Sequence, residues 1–137
     1  MIVVAILATL AAIAIPKFTL MVEKSREGST KGNLGAIRSA ASLYYGNSNG
    51  VWPTTLNSDS PFSFSNYLGN FPGVKVTGVF ISGAPSPAGT NVTYATSSSV
   101  PIGAGSGWLY DSTQGRVFVN STLQDSQAVA YSYYGFE

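Results

Sequence analysis

Sixteen residues, MIVVAILATLAAIAIP, are apolar at every position except Thr9, and Lys17 follows them at once. Beyond Lys17 the apolar character resumes at Phe18, Leu20, Met21 and Val22 and then thins into an amphipathic pattern. Leu34, Ile37, Ala41 and Tyr44 recur at spacings of three, four and three, which places them on one helix face. The pattern predicts one long helix from residue 1 to about residue 45, its second half packed on a sheet through that face. Glu23, Lys24, Glu27 and Lys31 are expected on the opposite, solvated side, with Glu23 and Glu27 near basic neighbours. Pro16 lies inside the helix and removes one backbone donor, so a kink or a locally melted turn is expected there. Gly28, Gly32 and Gly35 each cost about 1 kcal/mol relative to alanine. Either Gly28 and Gly32 admit a close helix neighbour, or the helix is weak or bent there.

The run GNSNG at 46–50 ends the helix, because Gly and Asn accept left-handed backbone. Trp52 is expected as a core plug against the helix, and 54–71 as a loop with a short helical turn near 64–68. Strands are predicted at 74–81 (VKVTGVFI), 91–96 (NVTYAT), 107–110 (GWLY) and 116–120 (RVFVN). The last two flank a turn at 111–115 and read as a hairpin. The tyrosine-rich tail is expected to add an edge strand or to cover the sheet. The fold class expected is α+β: a long N-terminal helix, kinked near Pro16, on a C-terminal antiparallel sheet of about four strands. Residues 1–22 form the hydrophobic segment and 23–137 the head, divided into a helix half at 23–45, a loop at 46–73 and the sheet at 74–137.

Composition narrows the chemistry. Charged residues are 9% of the chain, far below the usual quarter. Five basic residues, Lys17, Lys24, Arg26, Lys31 and Arg38, follow the apolar run. They read either as a juxtamembrane anchor or as a solvated helix face. The net charge of +1 gives no general basic field for nucleic acid. The absence of Cys excludes disulfides and thiolate chemistry, and the absence of His removes the commonest general base and transition-metal ligand. The carboxylates are scattered and no nucleophile elbow or phosphate loop occurs, so no catalysis and no cofactor are expected. Residues 1–16 would span roughly 24 Å as a helix, somewhat short of a bilayer core of about 30 Å. A cleaved secretory signal is the main rival, but it calls for a basic region before the apolar core.

The stretch MIVVAILATLAAIAIPKF resembles the amino-terminal helix of type IV pilins and pseudopilins, including Pro16 and Phe18. The order of long helix, Tyr44-Tyr45, Asn/Gly turn and Trp52-Pro53 is similar to that family's junction between helix and head. The resemblance implies a structural subunit that waits in the bacterial inner membrane with its head outside. An assembly ATPase and a platform protein then draw it into an extracellular helical filament of identical subunits. Met1, Ile2, Val3, Val4, Ile6, Leu7, Leu10, Ile13, Ile15, Pro16 and Phe18 would line the filament core; Leu34, Ile37, Ala41, Tyr44 and Trp52 would join helix to sheet. Family members carry a hexapeptide with a glutamate, and a basic leader cut by a prepilin peptidase, ahead of the segment matched here. Six such residues would lengthen the apolar helix to about 22 residues, roughly 33 Å. The expectation is therefore that Met1 is not the biological amino terminus.

Which filament is built stays open at the level of sequence. The alternatives are a type IV pilus, the pseudopilus of type II secretion, and a minor tip pilin that binds a surface or DNA. The Asp-Pro-Trp-Gly motif of many pseudopilins does not occur. Asp125 with Ser126 and Gln127 offers oxygen ligands but only one carboxylate, so ordinary surface polarity explains it better than a calcium site. Seventeen aromatics are expected mostly in the core, with Tyr131, Tyr133 and Tyr134 as candidates for a subunit interface. Asn91 and Asn120 head glycosylation sequons by form.

Overall fold

The computed structural model describes residues 1–56, 64–78, 86–95 and 106–135. One helix, α1, runs unbroken over Ile2–Asn47, so the locally melted turn expected at Pro16 does not form. The hydroxyl of Thr19 donates to the Pro16 carbonyl at 2.9 Å within that turn. The helix ends as its sequence requires. Ser48 N–H donates to Tyr44 O and Gly50 N–H to Tyr45 O, with Asn49 and Gly50 at positive φ.

Three strands follow: β1 (Val92–Ala95), β2 (Trp108–Asp111) and β3 (Arg116–Val119), in the spatial order β1-β2-β3. The β2–β3 hairpin is antiparallel, as its turn predicts. Strand β1, however, pairs parallel with β2, so the sheet is mixed rather than antiparallel, with three strands among the described residues rather than four. Twelve residues separate Ala95 from Trp108. A hairpin needs only a tight turn, whereas parallel pairing needs a long return of about a dozen residues, and this chain has one. Gly107 makes the close approach at the start of β2. At φ +85 it lies so near Asn91 that an added Cβ would sit 2.2 Å from the Asn91 carbonyl oxygen.

The strand expected at 74–81 does not join the sheet where it is described. Val74 makes a single bridge to Gly89, and 79–81 lie outside the described residues. The reason is competition for its donors. Lys75 N–H goes to the Thr30 hydroxyl at 3.0 Å and Thr77 N–H to the Glu23 carboxylate at 3.0 Å. Alternate residues of an extended chain thus turn one edge to the helix side chains, while Val74 and Val76 go into the core.

That core lies between α1 and the sheet. Leu34, Ile37, Ala40 and Ala41 of the helix meet Trp108, Tyr110, Val117 and Val119 of the strands. Every position of β2 is buried. Loop 46–73 is pinned across it by two polar tips. Trp108 Nε1–H donates to Pro72 O at 2.8 Å, and Tyr110 OH donates to Pro53 O at 2.7 Å. Burial, and then the adjacent Asp111 carboxylate, push the Tyr110 phenol far above its ordinary value, so it stays a donor. The short turn expected near 64–68 is a 3-10 turn over Phe64–Asn66. The tail forms a second one, Tyr131–Gly135, which packs against β3 and covers the sheet instead of extending it.

Candidate assembly surface: the exposed rod and its collar

Residues 1–21 of the helix stand exposed, and only Lys17, Leu20 and Met21 among them border the head, across a groove from the turn at 124–128. Twelve of residues 1–21 are large apolar side chains, among them Ile2, Leu7, Leu10, Ile13 and Phe18, at 50% exposure or more. The helix is long and apolar enough to cross a membrane. Twenty-one residues rise about 32 Å, close to a bilayer core of about 30 Å. The accessible surface of the chain is 8171 Å². A compact monomer of 14.3 kDa is expected to show about 6,800 Å². The excess is the rod. At about 25 cal/mol per Å², leaving it in water costs more than a typical domain's whole stability of about 5–15 kcal/mol. This surface must be covered.

Exposure first falls at Val22, and the first buried side chains are acidic. Glu23 is 2% exposed and Glu27 8%. The expectation that both face solvent is overturned, and the geometry gives the reason. Glu23 accepts from both the N–H and the hydroxyl of Thr77, each at 3.0 Å, and Arg26 adds a 3.4 Å contact. Glu27 accepts from both the N–H and the hydroxyl of Ser126, at 2.8 and 2.9 Å. Each carboxylate thus clamps one hydroxyl residue through its backbone and its side chain together. Asn33 extends the row by donating to Gly73 O at 2.8 Å. These residues prolong the apolar face backwards, since 23, 27, 30, 34, 37, 41 and 44 alternate steps of four and three. That spacing was the signal available in the sequence, and the polarity of Glu23, Glu27 and Thr30 concealed it.

The turn that Ser126 belongs to is organised by Asp125, which is buried rather than a feature of surface polarity. One of its oxygens accepts from Gln127 and Val129 N–H, and the other from Tyr134 OH at 2.9 Å. Burial raises its pKa, but those three hydrogen bonds and the charge of Lys31 outweigh it, and the net shift is downward. Lys31 lies 4.5 Å over the Tyr134 ring. Both oxygens of Asp125 serve the fold, and no cluster of three metal-ligating side chains exists among the described residues.

A lowered carboxyl pKa in the folded state means that the stabilisation is complete above the ordinary value of 3.8 and is lost as pH falls through the folded value. Urea unfolding should therefore show Asp125→Asn less stable than the parent chain at pH 7. The gap should narrow progressively as the pH drops below 3.8. A gap that stayed constant down to pH 2.5 would refute this role.

The other site residues fall into two groups. Leu34, Ile37 and Ala41 are buried in the core, and Tyr44 and Trp52 are half-buried against it. Trp52 stacks on Tyr45 with centroids 4.3 Å apart and lies so tightly on Gly115 that a Cβ there would meet its ring. The full core plug is Trp108, not Trp52. Gly28, Gly32 and Gly35 have no neighbour within 4 Å of an added Cβ, so no close helix contact is made there within this chain. Tyr131 and Tyr134 belong to the core and, of the three tyrosines, only Tyr133 stands out, at 60% exposure, which corrects the expectation of a three-tyrosine interface. Asn91 is exposed, whereas Asn120 is buried with its amide donating to the Thr93 hydroxyl. Of the two sequons, the folded head presents Asn91 alone.

No family model matches the chain, and no curated protein and no solved structure matches it either.

Proposed function

We propose that this chain is the structural subunit of a helical extracellular filament of the type IV pilin kind, assembled by packing its N-terminal helix among identical helices. The observation that carries this reading is the bare rod: residues 2–21 are helical, overwhelmingly apolar and exposed. Such a rod is at ease in two surroundings only, a bilayer and a bundle of like rods. Lipid tails are about as apolar as the rod's own side chains. Transfer from membrane to filament is therefore nearly neutral in hydrophobic terms, and packing decides it. The head supplies the outer wall, and its clamp to Glu23 and Glu27 fixes where the rod leaves it. The subunit performs no reaction; an assembly ATPase and a platform protein supply the work.

The absence of cysteine makes the test direct. Single-cysteine variants at Ile6 and Ile13 are oxidised in the host membrane and in material sheared from the cell surface. Disulfide-linked dimers in the sheared material, together with electron cryomicroscopy showing the rods bundled at the filament axis, are the expected result. Chains recovered outside the cell with residues 1–16 removed would instead identify a secreted domain with a cleaved signal. Filaments that form from this chain alone when it is overproduced would favour a major subunit over a tip adaptor.

A further inference from the structure

The formal charge of +1 conceals how charge is arranged. The four carboxylates among the described residues, Glu23, Glu27, Asp111 and Asp125, are all buried, at 2–8% exposure. Lys17, Lys24, Lys75 and Arg116 are all exposed. The outward charge of the described head and collar is therefore cationic, although the composition is nearly balanced. It is not spread evenly along the helix. Lys17 and Lys24, two turns apart, flank Leu20 and Met21 in an open groove of about 730 Å³. The groove lies between the helix at its exit from the head and the turn at 124–128. Asp125 contributes to the wall, but its oxygens are engaged by the turn itself. Below the groove Ala14, Ile15, Phe18 and Met21 continue as an apolar strip down the rod.

We propose that this groove seats one anionic phospholipid, its phosphate between Lys17 and Lys24 and its acyl chains along Leu20, Met21 and the strip below them. Two arguments select that occupant. The site changes from cationic to apolar within one or two helical turns, which matches the charge and polarity profile of an anionic lipid and not that of a soluble anion or a peptide. Its level is also right: with residues 1–21 across the hydrocarbon, Lys17 reaches back to the headgroups along its own stem and Lys24 stands among them. The site would hold the rod at a set depth and disfavour its withdrawal into a bundle until the lipid is released. The inference rests on the membrane-resident stage of the proposed function and not on filament formation.

Native mass spectrometry of the full chain in a neutral detergent tests it, with phosphatidylglycerol, phosphatidylcholine and inorganic phosphate as the three probes. The expected result is a one-to-one adduct with phosphatidylglycerol that phosphatidylcholine does not reproduce. Each lysine removed should weaken the adduct about fivefold. Lys17→Gln/Lys24→Gln should then lower its occupancy well over tenfold, while Arg116→Gln, on the β2–β3 hairpin near Trp52, leaves it unchanged. Equal adducts with phosphatidylcholine, indifference to the double substitution, or displacement by millimolar phosphate would each overturn the assignment. Both lysines are exposed, so the variants fold, and filament assembly measured separately keeps a failure here distinct from a failure of the proposed function.

Discussion

Replacing Glu23 and Glu27 together by alanine is expected to cost the head about 5 kcal/mol, enough to leave much of the population unfolded. The figure follows from what is stranded. Each substitution leaves a backbone N–H and a hydroxyl without their acceptor, at Thr77 and at Ser126. Hydrogen bonds to charged groups contribute about 1.5–3 kcal/mol each, and an orphaned buried donor costs its full desolvation. Buried ion pairs can often be exchanged for apolar residues without loss, because both partners are removed together. That escape is closed here, since the backbone N–H groups of Thr77 and Ser126 cannot be deleted. Urea unfolding of the full chain in mild detergent, read by the fluorescence of Trp52 and Trp108, measures the effect. Glu23→Gln/Glu27→Gln, which keeps one acceptor oxygen per side chain, should recover part of it. A double-alanine chain within 0.5 kcal/mol of the parent would show that the clamps contribute nothing net.

The second large effect is on assembly and leaves the head untouched. Leu10→Arg places a charge near the middle of the rod, where insertion costs about 2.5–3.5 kcal/mol. Sheared filaments should fall by a hundredfold or more. Leu10 is 60% exposed and far from the core, so the unfolding midpoint should not move. Separating the two readouts matters: loss of filaments with an intact head locates the function in the rod, whereas an arginine chain that assembles normally removes the rod from the assembly mechanism. Leu10→Ile is the control, since it keeps the apolar area and only moves the branch from Cγ to Cβ.

How far the sequence could be followed depended on whether the governing interactions were local. The long helix was legible because its apolar run, its 3.6-residue periodicity and its Gly/Asn terminator all act within a few residues of one another. The hairpin was legible for the same reason, with turn residues at 111–115 between two β-branched runs. Leu34, Ile37 and Ala41 are buried because an apolar side chain at helical spacing has one economical destination.

Interactions between distant residues leave no such local signal. Charge such as that of Glu23 and Glu27 ordinarily goes to solvent. Their burial depends on Thr77 and Ser126, which lie 54 and 99 residues away. The stretch at 74–78 has strand composition but gives its donors to Thr30 and Glu23, a choice made only when helix and strand meet. Asp125 looked like a surface residue until its turn closed around it, and Asn120 like a glycosylation acceptor until the hairpin enclosed it. The parallel partner of β2 was invisible because pairing direction depends on where a long connection returns, not on the residues that pair.

Local chemistry alone therefore determined that this protein has a greasy rod, where the rod's helix stops, and that no thiol or imidazole chemistry is available to it. Tertiary structure decided that the rod leaves the head bare, that two buried carboxylates lock its exit, and that the charge left outside among the described residues is positive. Those features come from groups distant in the chain meeting in a low-dielectric interior, where a donor takes whichever acceptor is near once water is gone.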